Sequence, residues 1–501
     1  MNKTRASRAK INIVVSFVCQ LFTLICGFIV PRLYIRTYGS EAYGATSSIT
    51  QFLAYITLLE GGVAGVARAA LYKPLAEKNY EIVGQILGEI KDFFKKIGFV
   101  FIGYVIVLAC TFKFISNVEV LNWFSTFLLV LSISLSTFAQ YFIGITYSVF
   151  LQANQQQYIS NLINIITMVL NTIAIVVLVN IGFNIVSVKL ISSCIFIFRP
   201  ILMWFYVKKE YPITIKLNKN EKLLMQKWTA FGQHIAYFLH SNTDIAVLTI
   251  FGNLTLVAVY SVYHMVTSAI QNLTYSFSAG MEAVFGDMIA KGEHESLVDS
   301  FGKYETLLST ITNILLGTTC AMIVPFIRLY TSGVNDANYI VPFFSFLLVI
   351  ASYIFCLRLP YHSAIIAAGH FKETKIAAYG EAIINIVTSI ILVIHNGIVG
   401  VAIGTILAIS FRFLYYAFYL RDHILKRGLG TFIKKLFVNL MIFFIIQLVG
   451  FFLTSKFEAN SYLQWAILAF CVVLLSILIT IGMNFLFYFA DMKALIKRFI
   501  K

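Results

Sequence analysis

Charge is what this sequence has least of. Asp, Glu, Lys and Arg together make up 12% of its 501 residues, about half of the ~25% that covers a water-soluble domain. Hydrophobic residues make up 59%, and mean hydropathy is +0.85. A chain so built cannot clothe a water-facing surface of its own size, and a polytopic membrane protein is the class that fits. Paired cysteines are also missing. All seven cysteines lie in apolar runs and none forms a C-x-x-C pair, which excludes a disulfide framework or a zinc site and leaves small buried hydrophobes. No G-x-x-x-x-G-K-[ST] loop occurs, so the chain does not hydrolyse ATP itself. A selectivity-filter sequence and an Arg-rich voltage-sensor helix are absent too. No sizeable extracytoplasmic loop exists in which an enzyme could place its catalytic groups. No small-residue cleavage site closes the first apolar run, so Ile11 onward reads as a retained first helix rather than a removed signal.

What is present is a succession of long apolar stretches. Helices are expected at 11–35, 42–71, 93–115, 121–150, 158–181, 186–208, 229–252, 254–285, 304–330, 338–365, 374–395, 397–421, 433–454 and 461–489. Fourteen spans put both termini on one face. With the N-terminus in the cytoplasm, most of the 38 lysines and arginines fall in cytoplasmic loops, the bias that anchors such proteins in a bacterial cytoplasmic membrane. The formal charge of +16 is thus a topology signal, with membrane lipids rather than nucleic acid as the partner. The expected organisation is an N-lobe over 1–208, a cytoplasmic linker over 209–228, a C-lobe over 229–421, and two further helices with a basic tail over 422–501.

The two lobes read as a duplication. SVFLQANQQQ from Ser148 lies over SAIIAAGHFK from Ser363, and VLVNIGFNIV over LVIHNGIVGV, which aligns Gly182 with Gly397 at an offset of 215 residues. Partners occupy the same rank in each half, so the repeat is parallel: an all-α fold of two six-helix lobes around a central cavity, plus two C-terminal helices.

Against this apolar background the ionisable residues stand out, because each costs about 2.5–3.5 kcal/mol at mid-bilayer. TLLEGGVAGVARAAL (57–71) sets Glu60 and Arg68 around three glycines. Eight residues are about 12 Å and 80° on an ideal helix, so the two cannot pair and must meet water or other helices. His240 and Asp244 stand at i and i+4, and Glu282 follows Gly280. Carboxylates at such depth suit the binding of H⁺ or Na⁺ during transport: Glu60, Asp244 (tuned by His240), Glu282 and Glu381 are the coupling candidates. Arginines suit a phosphate-bearing cargo, because the planar guanidinium binds phosphate oxygens two at a time. Arg32 and Arg36, one turn apart, with Arg68 and Arg358, are the candidates. Arg199 and Arg412 either face the interior or lie near helix ends and reach the headgroups. His264 and His362 read as neutral, hydrogen-bonded helix residues. No cofactor is implied.

PRLYIRTYGSEAYGATSSITQFLAYITLLEGGVAGVARAALYKPLAEKN (31–79) resembles bacterial polysaccharide-biosynthesis flippases of the multidrug/oligosaccharidyl-lipid/polysaccharide exporter superfamily, and FGNLTLVAVYSVY (251–263) is similar to that family's junction between helices 7 and 8. The resemblance implies a non-enzymatic transporter. Its cargo would be an undecaprenyl-diphosphate-linked oligosaccharide moved across the cytoplasmic membrane by alternating access, with a polysaccharide polymerase and glycosyltransferases as neighbours in the pathway. It implies cavity roles for Arg32 and Arg68, and a prenyl-tail groove made by the last two helices. Glu282 and Phe285 stand where a second-half arginine would be expected. A drug or cation antiporter of the same superfamily is the alternative, and a membrane-embedded polymerase or glycosyltransferase a more distant one.

Overall fold

The structure is a computed structural model that describes residues 5–60, 62–216, 243–278, 280–489 and 492–493. The chain divides into two compact units, one of residues 1–238 with 253–258, the other of 239–252 with 259–501. The described residues contain helices and no strands. Among the described residues, eleven helices are long and apolar enough to cross a membrane, or twelve if one bent pair counts as a span. The chain is a multi-pass membrane protein.

The first unit contains α1 (Arg5–Tyr38), α2 (Ser40–Ala54), α3 (Val63–Ala76), α4 (Tyr80–Ser116), α5 (Trp123–Ala139), α6 (Ile145–Ala153), α7 (Gln157–Ile181) and α8 (Ile185–Glu210). Asparagine starts three of them. Asn79, Asn122 and Asn184 each accept the backbone N–H three residues on, at 3.2, 2.7 and 2.8 Å, and so satisfy a donor that a helix start would otherwise leave open. Phe94, Phe101, Phe112 and Phe150 fill the core between α4, α5 and α6.

The second unit contains α9 (243–251), α10 (Leu254–Ser276) from Val259 onward, α11 (Met281–Ala290), α12 (His294–Tyr330), α13 (Pro342–Ala367), α14 (Phe371–His423), α15 (Leu429–Lys456) and α16 (Tyr462–Phe487). The expected helix 229–252 is described only from 243 onward. The expected pair 374–395 and 397–421 is recovered as two arms of α14, which is non-helical at Gly397 (φ 53°, ψ −131°).

The expected register between halves holds in detail. α4 and α12 are both 37 residues long, starting at Tyr80 and His294. Gly182, which ends α7 at φ 91°, and Gly397 both occupy positive φ between consecutive helices, a conformation that side-chain-bearing residues rarely adopt. One expectation fails. The segment 42–71 is not a continuous helix: α2 passes through a tight 3₁₀ turn, Tyr55–Glu60, and α3 restarts after Gly62 at φ 77°, the two helices being bent by 49°. Gly62, expected to soften the helix, instead marks its interruption, while Gly65 lies inside α3. The matching helix of the second unit is interrupted too, between α10 and α11.

α15 and α16 pack on α12 through small and polar side chains, as association between helices in lipid requires. Asn313 donates to Asn439 (2.8 Å), Asn484 to Thr310 (2.7 Å), and Thr318 to Ser476 (3.1 Å). A Cβ at Gly450 would lie 2.5 Å from the Ala321 Cβ. Gly450→Leu is therefore expected to force α15 off α12 and cost about 1–3 kcal/mol, read as a lower unfolding midpoint in detergent, whereas Gly482→Leu, with open space around it, should change little.

Candidate functional site

In the first unit, Arg32 and Arg36 lie in the last turns of α1, the former half-buried and the latter exposed. Glu60 ends the 3₁₀ turn and accepts the Tyr141 hydroxyl at 2.7 Å. Arg68, on α3, donates through Nη1 to Gln152 Oε1 at 2.9 Å, and Gln152 donates to Ser148 at 3.3 Å. As the eight-residue spacing requires, Glu60 and Arg68 meet other helices rather than each other. Tyr141 reaches Glu60 from a π-helical turn, Gln140–Gly144, between α5 and α6. Such one-residue insertions re-aim side chains and recur at functional positions.

In the second unit, Asp244 on α9 is half-buried, and every contact it makes among the described residues is with a neutral side chain. Oδ2 accepts from the Tyr260 hydroxyl (2.7 Å) and Thr405 Oγ1 (3.1 Å), and Oδ1 accepts from Asn385 Nδ2 (3.5 Å). Ser389 donates to Asn385 Oδ1 (2.9 Å), and Thr405 also donates to the Val401 carbonyl (3.0 Å). Asn385 and Ser389 sit on the first arm of α14, Val401 and Thr405 on the second. The arms touch because Gly404 has no side chain: a Cβ there would lie 2.4 Å from Ser389 Oγ. The result is one formal negative charge among amide, hydroxyl and carbonyl oxygens. Such a set suits a hard monovalent cation or a proton, and not the imidazole and thiolate preferences of transition metals. His240 lies outside the described residues, as does His234.

Two other carboxylates hold pairs of cations. Glu381 accepts Arg358 Nη1 at 2.6 Å and Arg412 Nη1 at 2.5 Å, and all three side chains are at most 9% exposed. Arg412 also donates to the Tyr416 hydroxyl (2.8 Å). The structure thus gives two sequence candidates, Arg358 and Glu381, to each other, and turns Arg412 inward rather than toward the headgroups. Glu305, which the sequence reading passed over, accepts Arg427 (2.9 Å), Lys435 (3.0 Å) and the Tyr361 hydroxyl. Arg427, in the loop between α14 and α15, and Lys435, on α15, read in the sequence only as cytoplasmic charges, and their return to Glu305 on α12 is visible only in the fold. Glu282 is half-buried in the first turn of α11, where the helix N-terminus favours a carboxylate. His264 stacks on Tyr260 and His362 on Tyr416; the expectation of a hydrogen-bonded ring is not met at His362, whose buried Nδ1 has no hydrogen-bond partner among the described residues. Asn385, Ser389 and Thr405 escaped notice because single amides and hydroxyls in apolar helices carry no charge to flag them; their signal was the i, i+4 spacing of Asn385 and Ser389.

No protein-family model matches the chain, and neither does any curated protein sequence. Solved structures do. The lipid II flippase MurJ in an inward closed conformation superposes with a TM-score of 0.70 at 18% identity, over 94% of this chain and 99% of that one. An inward-facing multidrug resistance MATE family transporter of the MOP superfamily gives 0.62 at 12% identity, over 82% and 98%. The MATE multidrug transporter DinF-BH gives 0.59 at 16%, over 84% and 97%. The chain has the fold that these membrane transporters share.

Proposed function

We propose that this chain is a flippase that moves a lipid-linked, diphosphate-bearing oligosaccharide, of the undecaprenyl type, across the cytoplasmic membrane for cell-surface polysaccharide synthesis. Alternating access, driven by a cation bound at Asp244, would carry the cargo across. The observation that carries the reading is the extent of the likeness to MurJ. The drug transporters match 82–84% of this chain and the flippase 94%. The difference is close to the combined length of α15 and α16, 28 and 26 residues, the pair to which the sequence resemblance assigns the prenyl tail. Arg32, Arg36 and Arg68 supply guanidinium groups for the diphosphate. Among the described residues Arg68 is held only through a neutral amide, so it can exchange that partner for phosphate oxygens without leaving a buried carboxylate bare. Arg358, already committed to Glu381, is the weaker member of the set.

The test is transport in proteoliposomes. Arg68→Ala is expected to slow appearance of labelled lipid-linked oligosaccharide in the opposite leaflet roughly ten- to hundredfold, the worth of one charged hydrogen bond of ~1.5–3 kcal/mol. Unchanged flipping would remove the diphosphate role. The competing reading, a drug exporter of the same fold, predicts instead that wild-type protein moves a cationic dye and leaves the lipid-linked sugar where it is.

A further inference from the structure

α8 is an apolar helix with one charge deep inside it. Arg199 lies 14 residues from Ile185 and 11 from Glu210, about 21 Å and 16 Å along the axis. Either distance is longer than an arginine side chain, so Arg199 does not reach an end of α8. Within the first unit Arg199 instead borders a chamber of about 350 Å³, inside the ~300–1,000 Å³ range of small-molecule sites. Its wall carries the hydroxyls of Ser136, Thr137 and Ser160, the amides of Gln140 and Asn164, and no carboxylate.

Two groups facing this space are unspent. Arg199 is fixed through Nε to Thr167 Oγ1 (2.7 Å) and lies over the Phe196 ring (4.1 Å). Its terminal nitrogens donate to no acceptor among the described residues. Arg68, Arg358, Arg412 and Arg427 each place a terminal N–H on a protein oxygen. Ser160 is only 7% exposed, and its Oγ has no hydrogen-bond partner among the described residues. A buried hydroxyl left so is unfavourable until a ligand satisfies it. The backbone is shaped around the same point. Pro200 supplies no N–H to the Phe196 carbonyl, and the π-helical turn brings Gln140 across Gly144, where a Cβ would come within 2.2 Å of Gln140 Oε1. Ser148 borders the chamber as well and accepts from Gln152, the partner of Arg68.

We propose that this chamber is a phosphate-binding site, with Arg199 as the charged anchor and Ser160 as a hydroxyl donor. One fixed cation with two free terminal nitrogens, ringed by neutral donors and free of carboxylates, is complementary to a phosphate group and not to a cation. The phosphate belongs either to a lipid headgroup or to free inorganic phosphate. The site shares no residue with the Asp244 oxygens and does not depend on the identity of the cargo.

The experiment uses the full chain purified in phospholipid-free maltoside, with thermal unfolding followed against potassium phosphate and against dihexanoyl phosphatidic acid, in potassium chloride of matched ionic strength. A saturable rise in unfolding temperature is expected, its midpoint shifted at least tenfold by Arg199→Gln and less by Arg199→Lys. Ser160→Ala provides a second, milder change in the wall should Arg199→Gln fold poorly, and is expected to weaken the same ligand severalfold. Saturation by inorganic phosphate identifies a free anion, and saturation by the lipid alone a headgroup. No saturation by either, or saturation that ignores both Arg199→Gln and Ser160→Ala, overturns the proposal. Because no transport is measured, that failure leaves the flippase reading untouched, and an Arg68→Ala variant that still flips its cargo leaves this one untouched.

Discussion

Asp244→Asn is expected to abolish the protein's response to its coupling cation while leaving it folded. Asparagine keeps the shape of the side chain and still offers an oxygen to Tyr260 and Thr405, which now reach Asp244 at 2.7 and 3.1 Å. It removes the one formal charge of the site. A hard monovalent cation held by amide, hydroxyl and carbonyl oxygens without that charge loses most of its electrostatic attraction, and a proton has no group left to titrate. Wild-type protein should therefore be stabilised by sodium over potassium at matched ionic strength, or by lowered pH if the proton is the coupling ion. A ligand at a hundred times its dissociation constant is worth about 2.7 kcal/mol. In Asp244→Asn that stabilisation should vanish, and transport should cease to follow the ion gradient. Gly404→Val should reproduce the loss without touching a charge, because a side chain there collides with Ser389 and parts the two arms of α14. A variant Asp244→Asn that keeps the full cation response would move coupling to another carboxylate, with Glu282 the next to test.

Glu381→Gln is expected to give a large change of a different kind, a loss of folding stability. The carboxylate holds Arg358 at 2.6 Å and Arg412 at 2.5 Å in an enclosed place. Removing its charge leaves two guanidinium groups facing a neutral amide and each other. Breaking a buried ion pair costs about 3–5 kcal/mol, and here one change breaks two. Yield and unfolding midpoint should fall sharply. Glu381→Gln combined with Arg412→Met, which removes one of the stranded charges, should recover part of the loss, a non-additivity expected of groups in direct contact. If Glu381 is instead the coupling group that its depth alone suggests, the single variant keeps its stability and loses only its cation dependence, so the two measurements separate the roles.

The difference between Asp244 and Glu381 shows what the sequence could and could not convey. Hydropathy located the helices almost throughout, because a lipid environment rewards about 20 consecutive apolar residues whatever their order. The duplication was legible through Gly182 and Gly397, because positive φ is one of the few backbone demands that a single residue type reveals. The intramembrane charges were also visible one by one. What they bind was not, since partnership is a tertiary fact. Asp244 and Glu381 look alike in sequence, yet among the described residues one meets only neutral side chains and the other two arginines. Likewise, Gly62 was legible as a weak point in its helix, but whether the helix would bend there or stop depended on how Tyr55–Glu60 packed.

That interruption recurs in the other half of the chain, between Ser276 and Met281. Each unit consequently owns a joint of its own, inherited in register and then free to diverge in stiffness. A β-branched residue at Gly62, where φ is 77°, would strain one joint and leave its counterpart unaltered. The two halves of such a machine can be tuned, or jammed, one at a time.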